Sequence, residues 1–386
     1  MEISEECPPV RKYTWFSRED VEIATKIIES NDLSGFLATP GDEHHGGTMV
    51  KCLERKWESF DQVDHAIAFN SWTSGLEACV MAFQFPTKSE IVTTPWTMSA
   101  TTSAIANSQL IPVFADINPE SYNIDVATID TVVTKNTVAI LAVDIFGLPC
   151  DAEEIGQYCR TKNLKLIIDS AQTPLARRFG KRSSVIADAG GYSFNRHKHI
   201  QSGEGGLAVT NDAHLHHRMM AIRNHAEISA PELDIRIQGR NLRFGEIEAS
   251  LVVGQLERIH SMVQHRRDAA FKIMDQLSDT EIRFSKMMEG VDHDFYILAM
   301  NMSAYFETST DRKIFVEKLK FSGVPGTLEG YVDTSALPKF RDFPRSSLDT
   351  VHRLQDHEFF GIYMCGVEWT DPLIDYVVRK IKESLV

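Results

Sequence analysis

Short apolar runs separated by helix-patterned stretches recur through the first half of the chain, and this alternation constrains the fold more than any other feature. The runs cover residues 91–94, 111–116, 138–146, 164–169, 191–194 and 207–210. Helical spacing marks 74–85, 99–107, 151–161 and 212–222. Strands that read as continuous apolar runs are buried on both faces, which calls for a mostly parallel sheet wrapped by helices. The predicted class is α/β, and ligands of such a sheet collect at the carboxyl ends of its strands. After residue 245 the pattern changes. Ile247, Leu251, Val252, Leu256 and Ile259 stand at helical spacing across 246–263, a stretch suited to bridging to a second domain. The segments 266–277, 295–302, 310–321 and 372–385 then predict a smaller α+β domain, with 337–345 as a loop. A chain of 386 residues that is 43% hydrophobic is ample for both. The expected division is 1–260 for the large domain and 261–386 for the small one.

Two residues at or just beyond strand ends carry candidate chemistry. Asp169 closes the run Leu164-Lys165-Leu166-Ile167-Ile168, so charge begins where apolar packing stops. An aspartate there suits a protonated ring nitrogen of a bound cofactor; it equally suits the cap of a following helix. Lys198 stands five positions after Ser193 and shortly before the turn Gly203-Glu204-Gly205-Gly206. Burial or neighbouring positive charge makes a lysine nucleophilic by lowering its pKa, and Arg196, His197 and His199 flank it. The glycines would let backbone pass close to a planar cofactor. The competing reading is a solvated basic loop.

These segments, together with Asn70-Ser71-Trp72-Thr73-Ser74-Gly75-Leu76, Thr94-Pro95-Trp96-Thr97-Met98-Ser99-Ala100-Thr101, Asp169-Ser170-Ala171-Gln172 and Gly239-Arg240-Asn241-Leu242-Arg243-Phe244-Gly245-Glu246-Ile247, occur in the order found in one family. The chain resembles the DegT/DnrJ/EryC1/StrS sugar aminotransferases, pyridoxal 5'-phosphate (PLP) enzymes of fold type I, over nearly its whole length. The resemblance implies a large, mostly parallel-sheet domain wrapped by helices plus a smaller α+β C-terminal domain. It implies that Lys198 forms the Schiff base with PLP and that Asp169 pairs with the pyridine nitrogen. Gln172 would reach the ring oxygen. Ser193, Thr73 and the backbone around Trp72 would hold the phosphate, at a helix start expected near Ser74 where free N–H groups favour an anion. Asn241 would reach the phosphate of a neighbouring subunit's cofactor, which implies a homodimer with shared active sites. Taken singly, Thr73 also reads as an N-cap, Gln172 and Ser193 as loop polars and Asn241 as a turn residue.

Two positions depart from the family pattern. Trp72 stands where many relatives carry glycine or alanine, and Met98 stands where most carry the aromatic that stacks on the ring. Either Met98 packs on the ring through sulfur with Trp96 towards the substrate, the arrangement expected here, or Trp96 takes over the stacking; a tryptophan at a strand end also reads as plain core. The implied reaction moves an amino group from glutamate, leaving 2-oxoglutarate, to the ketone of a nucleotide-linked sugar; a cyclitol ketone is a further acceptor in such a family. Sugar dehydratases of the same family place histidine where the lysine stands, and a noncatalytic protein on this fold is the reading of a different class. Specificity is expected in the loops 35–47 and 319–332.

A formal net charge of -14 argues against nucleic acid as a partner. An anionic substrate needs only a local positive pocket, for which Arg196, His197, His199 and Arg243 are candidates, with His197, His199 and Arg243 facing substrate. His44 and His45 sit in a Gly-rich stretch, and adjacent histidines rarely face one metal; a mobile loop at the site mouth is expected, with no metal. The six cysteines have no metal-like or redox-like spacing. The beginning Met1-Glu2-Ile3-Ser4-Glu5-Glu6-Cys7 is polar and acidic, and no stretch reads as a membrane span, so a cytoplasmic protein is expected.

Overall fold

The computed structural model describes residues 7–39, 41–227 and 237–385. The main sheet holds β1 (His65–Phe69), β2 (Glu90–Thr93), β3 (Ile111–Phe114), β4 (Thr137–Val143), β5 (Lys165–Asp169), β6 (Ala189–Ser193) and β7 (Gly206–Thr210). Its order is β1-β7-β6-β5-β4-β2-β3. β7 runs antiparallel to both neighbours and every other pairing is parallel. This is the fold type I architecture. A second sheet of four strands follows, from β8 (Arg283–Phe284), β9 (Ile297–Asn301), β10 (Thr327–Leu328) and β11 (Phe359–Tyr363), in the order β10-β11-β9-β8.

Helices α1 (Arg18–Ser30) and α2 (Thr48–Asp61) precede the main sheet. Its strands are joined or followed by α3 (Trp72–Ala82), α4 (Ser99–Asn107), α5 (Val126–Asp130), α6 (Ala152–Lys162), α7 (Ser183–Ile186) and α8 (Ala213–Arg223). Then come α9 (Glu246–Leu256), α10 (Ile259–Gln276), α11 (Ser309–Phe321), α12 (Asp349–Arg353) and α13 (Asp371–Ser384). Side chains of a strand alternate between faces. In β1, Ile67 and Phe69 accordingly join one apolar layer while Ala66 and Ala68 join the layer on the opposite face. β1 lies outside the runs read from sequence, because two alanines and a histidine dilute its apolar signal. The stretch 246–263 divides into α9 and α10. Between them Arg258 leaves helical geometry at φ -109, ψ 1, and its guanidinium binds the Asp20 carboxylate at 2.6 Å.

The expected boundary at residue 260 is crossed from both sides. The Thr334 N–H donates to Pro95 O at 2.8 Å, and Phe114 on edge strand β3 donates to Pro344 O at 2.9 Å. From the other end, Tyr13 N–H donates to Gly366 O at 3.1 Å. Asp294, ahead of β9, clips the two parts together: one carboxylate oxygen accepts the N–H groups of Leu175 and Ala176, each at 2.8 Å, and the other accepts Arg267 at 2.9 Å. Among the described residues no helix is long and apolar enough to cross a membrane.

Candidate active site

Strand register sets the site. Asp169, the last residue of β5, pairs with Val143 of β4 and Gly191 of β6, while Ser193 at the end of β6 pairs with Gly206, itself opposite Phe69 of β1. The carboxyl ends of β1, β4, β5 and β6 therefore share one edge, and the loops that leave it carry the chemistry.

The turn after β1 starts α3 at Trp72, two residues ahead of the expected start. Ser71 is the N-cap, its Oγ accepting Ser74 N–H at 3.1 Å, so Thr73 is an exposed first-turn residue and not the cap. First-turn N–H groups have no intrahelical acceptor and, with the helix dipole, favour an anion. Ser193 stands beside this turn through Gly206, and its Oγ accepts Asn195 N–H at 3.3 Å.

Asp169 is buried and takes three donors. Trp72 Nε1 donates to Oδ1 at 2.7 Å, Thr101 Oγ1 to Oδ2 at 2.9 Å, and Ala171 N–H to Oδ1 at 3.2 Å. Beneath it, the Asp144 carboxylate accepts the hydroxyls of Ser170 at 2.7 Å and Thr173 at 2.8 Å, which ties down the turn after β5. Gln172 follows on this turn, its Oε1 accepting Phe146 N–H at 2.6 Å and its Nε2 donating to Tyr331 OH at 3.1 Å.

Lys198 lies at the tip of a hairpin between β6 and β7, closed by Phe194 N–H to Gly205 O and Arg196 N–H to Gly203 O, both at 2.9 Å. Its half-buried side chain carries Nζ 4.3 Å from the centroid of the Tyr296 ring, with no hydrogen bond among the described residues. Desolvation pushes the amine down to about 8, against the opposing pull of the Asp169 charge. The neutral, nucleophilic fraction thus rises about tenfold per pH unit below pH 8 and levels off above it. The rate at which apo protein captures PLP is expected to follow that curve; a flat profile between pH 6 and 9, measured by stopped-flow absorbance, would contradict it.

Several expected roles change. Two of the turn glycines make room for protein. A Cβ on Gly205 would lie 2.6 Å from the Phe244 ring, and one on Gly206 2.4 Å from the Trp72 backbone. Gly203 is needed for its backbone, at φ 88. Trp96 does not face substrate: it is fully buried against Tyr331 and Phe359, at centroid separations of 6.0 and 5.5 Å. Its bicyclic ring fills an aromatic layer that also holds Phe146. Met98 is the open side chain of that loop, 57% exposed at the N-cap of α4.

His199 is likewise no substrate ligand. It is fully buried, its Nε2 lies 2.9 Å from Asp294 O, and burial holds it well below the usual imidazole range. It pins the Lys198 hairpin to the second sheet's leading segment. His197 remains exposed, its carbonyl bound by Tyr363 OH. Arg243 Nε donates to Asn224 Oδ1 at 2.8 Å, and Asn224 Nδ2 holds Leu37 O at 2.7 Å, so Arg243 braces the loop ahead of α2 through Nε. That loop is not loose: His44 is buried in a short 3-10 turn, Asp42–His45, with Nδ1 3.1 Å from Asn224 Nδ2. No group of metal-ligating side chains occurs among the described residues. Asn241 is exposed, and the adjacent Leu242 carbonyl accepts Asn70 N–H at 3.0 Å, which sets Asn241 beside the turn that starts α3.

Thr101, Asp144, Tyr296 and Tyr331 carry no expected role, yet each touches an expected residue. Thr101 lay within a family-like segment and Tyr331 within the loop 319–332 expected to carry specificity; Asp144 and Tyr296 gave no signal for the site.

The residues present fit PLP. Asp169 Oδ2 keeps a lone pair beyond the one Thr101 uses, an amine of lowered pKa stands at the neighbouring loop, and an open helix N-terminus with Ser193 beside it suits a phosphate. Comparison with known proteins agrees. GDP-perosamine synthase of Vibrio cholerae is 26% identical over 265 residues, 69% of this chain and 72% of that one. UDP-4-amino-4,6-dideoxy-N-acetyl-beta-L-altrosamine transaminase of Helicobacter pylori is 33% identical over 257 residues, 66% of this chain and 65% of that one. The solved structure of Helicobacter pylori PseC, an aminotransferase involved in the biosynthesis of pseudoaminic acid, superposes with a TM-score of 0.86 at 23% identity, over 97% of this chain and 99% of that one. The model of the DegT/DnrJ/EryC1/StrS aminotransferase family matches residues 37–347. A match of that extent is membership: this chain is a PLP-dependent aminotransferase of the DegT/DnrJ/EryC1/StrS family.

Proposed function

We propose that the enzyme transfers an amino group from glutamate to the ketone of a nucleotide-linked deoxysugar. The observation that carries the reading is the meeting, on one sheet edge, of the Lys198 amine with its lowered pKa and the Asp169 carboxylate with an open acceptor position. The names of the relatives supply the substrate class, since perosamine synthases and the altrosamine transaminase are described by nucleotide-linked amino sugars. PLP bound here acts as an electron sink for carbanionic charge. Lys198 would hold the cofactor at its carbonyl and hold or move a proton at Nζ, and Asp169 would hold the ring nitrogen. Ser193, Thr73 and the backbone N–H of Trp72 hold the phosphate, Gln172 the ring oxygen, and Met98 packs on the ring face. Phe146 and Tyr331 orient Gln172 by its two hydrogen bonds.

The dehydratase reading needs a histidine at the loop tip. His199 is committed to Asp294 O and His197 lies outside, which favours transamination. The test is incubation with glutamate and a panel of UDP-, GDP- and dTDP-linked keto sugars. The expected result is 2-oxoglutarate and an amino sugar in equal amounts; keto-sugar deoxygenation without amination would replace this reading.

We place Asn241 at a subunit boundary, where it donates to the phosphate in the partner's site of a two-fold dimer. The exposure of Asn241, whose side chain is left open to a second subunit, supports this. Mixing inactive Lys198→Ala with inactive Asn241→Ala is then expected to restore about a quarter to a half of the activity per site, since each heterodimer carries one intact site. Proven heterodimers without activity would put Asn241 in its own chain's site.

A further inference from the structure

Trp72 is buried, but its placement is unlike that of a residue packed for bulk alone. The indole lies where neighbouring residues have given up their side chains. A Cβ on Gly191 would come within 2.1 Å of Leu207 O and within 2.4 Å of the six-membered ring of the indole, and one on Gly75 within 2.9 Å of that ring. Gly191 is the β6 residue paired with Asp169 itself. The slot so made brings Nε1 to 2.7 Å from Asp169 Oδ1.

Lone pairs then decide which oxygen is free. A carboxylate oxygen accepts about two hydrogen bonds. Among the described residues Oδ1 has two donors, Trp72 Nε1 and Ala171 N–H at 3.2 Å, whereas Oδ2 has Thr101 Oγ1 alone. We propose that Trp72 is a positioning residue acting through Asp169: its indole N–H fills Oδ1, commits Oδ2 to the ring nitrogen of PLP, and keeps the shared proton on the ring. The inference rests on Asp169 being the partner of that nitrogen. Donors to a carboxylate favour its ionised form, so removing one from a buried carboxylate raises its hold on a proton. Without the indole N–H the shared proton moves from ring towards carboxylate, and the electron sink weakens.

The test uses native enzyme, Trp72→Phe, and enzyme with benzothienylalanine at position 72, which keeps the indole shape but has sulfur in place of N–H. Each is loaded with ring-15N-labelled PLP. The native ring nitrogen is expected at the protonated pyridinium position, and both variants are expected to move towards the neutral pyridine position. Turnover should fall about ten- to a hundred-fold, the loss typical of a hydrogen bond to a charged group, with KM for the amino donor nearly unchanged. Trp72→Phe can fail through packing; the sulfur analogue cannot be excused that way. Native resonance and native rate in the sulfur analogue overturn the proposal alone. A neutral ring nitrogen in the native enzyme overturns the reading of Asp169 and this inference with it.

Discussion

Lys198→Ala is expected to lower turnover by about three orders of magnitude or more while leaving the fold intact, because no other amine takes its place. Its neighbours on the hairpin are otherwise engaged. Arg196 Nε donates to His197 Nε2 at 3.1 Å, and His199 is buried. The hairpin itself is held by main-chain bonds and by His199 on Asp294, none of which uses the Lys198 side chain. A melting temperature near that of the parent is therefore part of the prediction. Borohydride reduction of the holoenzyme followed by peptide mapping should place the pyridoxyl group on Lys198. A label on another lysine would remove the basis for the site.

Asp169→Asn is expected to reduce turnover by about a hundred- to a thousand-fold with PLP still bound. Asparagine offers one acceptor oxygen where aspartate has two. Trp72 Nε1 can only donate, so the amide oxygen must turn to it; Thr101 Oγ1, 3.2 Å from Thr97 Oγ1, can reverse its hydroxyl and accept. The amide NH2 then faces the ring nitrogen with a donor, and an unprotonated ring follows. Parallel measurement of kcat and of the PLP dissociation constant separates the outcomes. An Asn variant that binds PLP and keeps most of the parent rate would mean that another carboxylate serves the ring.

Much of this was legible in the chain before any contact was known. The runs 91–94, 111–116, 164–169 and 191–194 declare buried strands to within one or two residues of their observed ends at Thr93, Phe114, Asp169 and Ser193, and a strand end beside an acid is a local event. Lys198 was found by its spacing from Ser193 and the glycine turn, a property of the hairpin alone. Local patterning also carried α4, α6 and α8 to within a residue or two of their ends. What it misread lies in loops, where no periodicity says which way a side chain points.

Trp96 and Met98 are two residues apart, and nothing between them distinguishes the buried one from the open one. Tyr331 and Phe359, far along the chain, make that distinction by closing an aromatic layer over Trp96. His199 looked available because it stands in a basic stretch with Arg196, His197 and Lys198; Asp294 O and the ring of Tyr296 bury it. Trp72 looked like a departure from a small-residue pattern. Its partner Asp169 is 97 positions away, and the glycine that admits it is on another strand. Sequence by itself determined most strands of the main sheet, the class of that sheet, and the amine and acid at its edge, because apolar density and turn patterning are set by residues close together in the chain. Only the tertiary structure decided which loop side chains are buried and which stay open, since each of those choices is made by desolvation and hydrogen bonding against residues that folding brings from afar.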